Sequence, residues 1–116
     1  MKVEFFEDEN GHCPVTEFLD KLDTKMRIKT LRSIQFLENL GTALRMPVSQ
    51  ALDDGIFELR AQSGNNITRV LYFFVIGDCA ILTHGFIKKT QKTPSREIEK
   101  AKEIRKAYFN RRKGGI

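Results

Sequence analysis

The stretch Ile56–Lys92, IFELRAQSGNNITRVLYFFVIGDCAILTHGFIKKTQK, constrains the fold more than any other part of the chain. Its strand-type apolar runs are broken at Gly64-Asn65-Asn66 and again at Gly77-Asp78, which predicts three consecutive antiparallel strands. A two-residue Gly-Asp turn puts Ile76 opposite Cys79. Counting back, Leu71 faces His84, Arg69 faces Phe86 and Ile67 faces Lys88, with these side chains on one face. A four-residue loop Ser63–Asn66 in the first hairpin sets Arg60 beside Arg69 and Glu58 beside Leu71. Glu58, Arg60, Arg69, His84 and Lys88 are therefore expected at one end of one sheet face. Like charges directly opposite one another destabilise a sheet, so an Arg60/Arg69 pair implies a site meant for an anion.

The rest of the chain supplies helices and one more strand. Lys2–Glu7 reads as a short strand paired with the later sheet. Pro14 suits the first turn of a helix, in which Val15, Phe18, Leu19 and Leu22 recur at i, i+3, i+4 and i+7. Asp23 or Thr24 caps a second helix, whose apolar positions Ile28, Leu31, Ile34, Leu37 and Leu40 drift around its axis until Gly41 ends it. Lys25, Arg27, Lys29 and Arg32 fall on its outside and are read as a solvated face in preference to an RNA contact. Gly41 to Gly55 is a loop holding the Asp53-Asp54-Gly55 turn and a short packing segment at Ala51-Leu52. Thr93 and Pro94 open the last helix by capping and first-turn preference, with Ile98, Ala101, Ile104 and Tyr108 as its core stripe. Residues 111–116 are expected to fray. The order β-α-α-β-β-β-α over residues 1–116 makes one small α+β domain, a mostly antiparallel sheet with helices packed on it.

Charge narrows the partner. The chain carries 20 Lys and Arg against 15 Asp and Glu, a net charge of +5. Residues 1–50 hold seven basic against eight acidic side chains and residues 51–116 thirteen against seven, so the excess lies in the second half. A basic half points to a polyanion, nucleic acid first. No apolar run approaches the roughly 20 residues that span a bilayer. The acidic start MKVEFFEDEN does not read as a signal peptide, so a cytoplasmic location is expected. Cys13 and Cys79 form no metal-ligand spacing and no disulfide framework, and neither a metal nor a small-molecule cofactor is expected.

The strings FELR (57–60), TRVLYF (68–73) and HGFIKKTQKTP (84–94), followed by EIEKAK (97–102), resemble the phage-derived, HigB-like branch of the RelE/ParE toxin superfamily. The resemblance implies a RelE-like fold and a small basic toxin of a type II toxin–antitoxin system. It further implies a co-encoded antitoxin, in this branch commonly a helix-turn-helix protein, and cleavage of mRNA in the ribosomal A site. Carried over, Arg60 and Arg69 occupy the strand arginines that contact the scissile phosphate region. Lys88 and Lys89 fall where basic residues end the last strand. Glu58 stands where RelE has a lysine, and the tyrosine near the C-terminus of RelE has no obvious match.

Metal-free cleavage by the ribose 2′-hydroxyl needs a base, cations for the phosphorane charge and an acid for the leaving 5′-oxygen. Arg60 and Arg69 suit the second task, because a guanidinium offers forked donors and stays charged. Their structural alternative is an ion pair with Glu58. His84 titrates near neutrality and is a candidate base or acid, against a satisfied core histidine. Glu58 orients His84 or acts as base, or else merely offsets the arginines. Lys88, Lys89 and Lys92 hold RNA phosphates, or one of them stabilises the leaving oxygen. Thr90 and Gln91 receive no role. Two other functions fit the same fold: a gyrase-directed toxin of the ParE kind, and a non-catalytic antitoxin-binding module. The antitoxin itself is expected on the helical pair Pro14–Leu40 or on the last helix.

Overall fold

The computed structural model describes residues 1–88 and 91–114. A five-stranded sheet lies between two helical layers. Strand β1 (Lys2–Phe5) leads to helices α1 (Pro14–Lys21) and α2 (Thr24–Leu40) and a 3₁₀ turn at Gly41–Ala43. Strands β2 (Ser49–Asp53), β3 (Ile56–Ser63), β4 (Asn66–Val75) and β5 (Cys79–Lys88) follow, then α3 (Ser95–Gly114). The sheet order is β1-β5-β4-β3-β2. Only β1, beside β5, is parallel to its neighbour. The small α+β architecture expected from the sequence is present, with one strand more.

That extra strand, β2, lies inside the segment read as a loop. Asp54 and Gly55 both take positive φ, 49° and 77°, so the Asp-Gly pair makes a tight turn that folds Ser49–Asp53 back onto β3. SQALD lacks the β-branched and aromatic residues that mark a strand, and it sits at the sheet edge. Its pairing comes from the turn and not from its own propensity.

α1 and α2 cover one face of the sheet, where Val15, Leu19, Leu22, Met26, Ile34 and Leu37 meet Leu59, Val70, Tyr72 and Leu82. α3 covers the other, where Ala101, Ile104 and Tyr108 meet Leu71, Phe73 and Ile81. β4, apolar on both faces, is therefore enclosed on both sides. Asp23 caps α2 by accepting from the Met26 amide at 2.8 Å. Ile28, Leu31 and Leu40 are exposed while Ile34 and Leu37 are buried. Apolar residues every third position step backward around a 3.6-residue helix, so one face cannot hold all five.

Two basic residues of α2 read as solvated serve the backbone. Arg27 donates through Nε to the Leu19 carbonyl and through Nη2 to the Leu22 carbonyl, both at 2.9 Å, and so satisfies the end of α1. Lys29 Nζ donates to the Gln62 carbonyl at 3.1 Å. No helix among the described residues is long and apolar enough to cross a membrane.

Candidate functional site: a guanidinium cleft backed by a buried ion network

The first hairpin sets the rows of the site. Arg60 pairs with Arg69, Glu58 with Leu71 and Ser63 with Asn66, so the turn has two residues and not four, but the expected rows hold. In the second hairpin Val75 pairs with Cys79, leaving Ile76 exposed in a three-residue turn, not opposite Cys79. That one-residue error is cancelled by a bulge. Leu71 pairs with His84 but Tyr72 with Leu82, so Thr83 is extra. Before the bulge, Ala80 and Leu82 face α1 and α2. After it, the next even positions turn toward α3: Phe86 packs in that core and His84 reaches Glu97. The bulge thus restores Arg69 opposite Phe86 and Ile67 opposite Lys88. Its Thr83 hydroxyl reaches the Leu71 carbonyl at 3.1 Å.

The two arginines do converge on one negative group, and that group is Glu58. Arg69 Nη1 lies 3.2 Å from Glu58 Oε1, and Arg60 Nε lies 3.6 Å from Glu58 Oε2. Glu58 and Arg69 are fully buried. The anion implied by paired arginines is therefore supplied from within, which offsets their repulsion. Arg69 Nη1 also donates to the Gln91 carbonyl at 2.9 Å and to Thr93 Oγ1 at 3.0 Å. The Thr93 hydroxyl donates to Glu58 in turn. Thr93 thus spends its side chain on this network and not on capping α3. The Pro94 carbonyl instead accepts the first α3 bonds, from Glu97 and Ile98. Arg69, expected as a direct phosphate ligand, is enclosed in this structure, its guanidinium bonded to Gln91 and Thr93.

Arg60 differs. Its Nη2 donates to Gln91 Oε1 at 2.6 Å, and its side chain keeps 9% exposure. It lines a cleft of about 390 Å³ together with Met46, Pro47, Gln62, Ile67 and Gln91. Two guanidinium groups against one carboxylate leave one net positive charge, and Arg60 is the member that faces the cleft. Gln91, given no role from sequence, joins both arginines, one through its backbone and one through its side chain. No local pattern marks such a residue.

His84 stands apart from this network. Leu71 separates it from Glu58 along the row, and only 3% of its side chain is exposed. Nε2 lies 3.1 Å from Glu97 Oε1 on α3, and Nδ1 lies 3.0 Å from Thr83 Oγ1. Burial lowers its pKa, partly opposed by the hydrogen bond to the Glu97 carboxylate. Burial thus favours the neutral ring over the charged one. The expectation that Glu58 orients His84 is not met, since Glu97 does so. His84, expected to touch substrate as base or acid, is likewise enclosed in this structure.

Lys88 is half-buried in the row Gln62–Ile67–Lys88, two rows beyond Arg60 and on the same face. Lys92 is exposed. Lys89 lies outside the described residues. α3 continues as helix through Gly114, past the point where the basic tail was expected to fray.

Comparison with known proteins adds one match. A family model described as phage derived protein Gp49-like (DUF891) aligns with residues 17–106, which takes in every group of this site. No curated protein matches the chain.

Proposed function

The chain belongs to the Gp49-like family of phage-derived proteins (DUF891), within the RelE/ParE-like toxin superfamily, and from that premise we propose a ribosome-dependent mRNA endonuclease of the HigB-like branch. The family is associated with toxin–antitoxin toxins, which points to an antitoxin as partner. A helix-turn-helix protein encoded beside this chain is the form proposed for it. Its contact is proposed on α2, where Ile28 and Leu31 are 52% and 43% exposed beside a cavity of about 490 Å³ that also meets Val3 and Phe5.

One observation carries the nuclease reading: a guanidinium held on a buried carboxylate, with surplus positive charge at the mouth of a cleft. In the reaction the ribose 2′-oxygen attacks the neighbouring phosphorus, its proton passing to a base. The bond to the 5′-oxygen then breaks and that oxygen takes a proton. Arg60 stabilises the charge on the phosphorane oxygens, and Lys88 with Lys92 holds the flanking phosphates. Glu58, Arg69 and Thr93 hold the buried side of Arg60 without touching RNA, and Gln91 steadies its guanidinium through Oε1. His84 acts through Glu97, securing the start of α3. The ribosome supplies orientation of the mRNA, so the domain needs no complete free-standing acid–base pair.

Induced expression without antitoxin should arrest growth, with translated transcripts cut inside codons. Arg60→Ala should cut at least roughly 100-fold more slowly, the scale of losing one preorganised donor to a charged transition state. A folded Arg60→Ala variant that stays fully toxic would sink the reading. The enclosure of both Arg69 and His84 favours one rival, a binding toxin of the gyrase-directed kind. Inhibited supercoiling with intact mRNA would establish that rival.

A further inference from the structure

We infer that the cleft beside Arg60 is a seat for a single nucleotide, with the Met46–Val48 segment as the wall on which its base stacks. The inference rests on the nuclease reading and extends it to how the RNA is gripped. At about 390 Å³ the cleft falls at the small end of ligand pockets, which run from roughly 300 to 1,000 Å³. Its chemistry is divided as a nucleotide is. Arg60 supplies the cation for a phosphate. Met46, Pro47 and Ile67 supply flat or pliable apolar surface for the face of a base. Gln62 and Gln91 bring amides, groups able to pair with a base edge. An aliphatic ligand would leave the amides and the guanidinium unused, and a bare inorganic anion would leave the apolar wall unused.

The wall and the cation are fixed to one another. The Arg60 amide donates to the Val48 carbonyl at 2.8 Å, so the residue that presents the charge also anchors the segment carrying Met46. Ser49, the next residue, is buried, and its hydroxyl lies 2.5 Å from that of Tyr72, pinning the other end of the segment to the core. Met46 nevertheless remains 55% exposed, an apolar side chain left in water at the rim of a charged cleft. A stacked base would cover it. Gln62 is held by its Nε2, which donates to the Gly64 carbonyl at 3.1 Å, so its amide orientation is set before any ligand arrives. Base stacking tolerates any base, whereas an oriented amide does not, so the wall sets affinity and Gln62 sets preference.

The test uses the full chain in a translation reaction, with cut sites mapped on many transcripts. Anisotropy of a short labelled oligoribonucleotide, 2′-O-methylated to block cleavage, is measured at one fixed salt concentration. Met46→Ala should weaken oligonucleotide binding and raise KM about tenfold, the scale of one lost base stack, with a smaller change in kcat. Gln62→Leu should redistribute the bases found at the cut. Wild-type binding and an unchanged cut-site distribution in both variants, with Arg60→Ala inactive, would overturn the nucleotide seat and leave the nuclease reading standing. An Arg60→Ala variant as active as the parent would remove both together. Both rim positions are exposed, so matched unfolding midpoints verify that each variant is folded.

Discussion

Arg60 and Arg69 are the same side chain on adjacent strands, and depth alone separates their tasks. Removing Arg69 leaves Glu58 in the interior with the Thr93 hydroxyl and a single cation, Arg60 at 3.6 Å, and a broken buried pair costs roughly 3–5 kcal/mol. Arg60→Ala leaves Glu58 its closer partner and should cost only about 1–3 kcal/mol. Urea unfolding of the two alanine variants should therefore rank Arg69→Ala well below Arg60→Ala. Equal losses would mean that Arg69 is not the inner anchor. The strand register of both arginines was legible from turn chemistry. Their depth was not, because Gln91 and Thr93 reach them from more than twenty residues away.

β5 is the element on which the site depends, and its irregularities are local. The bulge at Thr83 reverses the facing of everything beyond it. Two residues later, Gly85 lies directly under the Phe18 ring of α1. A Cβ there would sit 2.3 Å from Phe18 Cδ2 and 2.8 Å from Cγ, so the whole ring must move. Gly85→Ala should destabilise by roughly 1–3 kcal/mol, and Phe18→Leu in the same chain should recover part of the loss. Strictly additive effects in a double-mutant cycle would refute the contact. On α2, drift of the apolar pattern announced that some of it stays outside the core. If Ile28 and Leu31 meet the antitoxin, Leu31→Glu should abolish co-purification with it while toxicity persists. Retained co-purification would move that contact elsewhere.

The molecule closes its second face by laying α3 across the sheet, and the His84–Glu97 hydrogen bond is part of that closure. Burial holds the native pKa of His84 below its unfolded value of about 6.5. Between those two values the unfolded chain binds a proton that the native one refuses. Stability is thus full above pH 6.5 and declines as pH falls toward the native pKa. Thermal unfolding followed from pH 7.5 to 5.5 should show the midpoint dropping. His84→Gln should flatten that part of the slope, and an unchanged slope would contradict a neutral buried ring. The three central strands, the rows that hold the arginines and the helix stripes followed from the chain alone, whereas the edge strand β2 did not, because turn residues and apolar periodicity act over a few neighbours. The packing of α3 and residues 91–93 chose which charges are sealed and which one meets solvent. Burial depends on what lies over a side chain, and nothing in its immediate sequence specifies that.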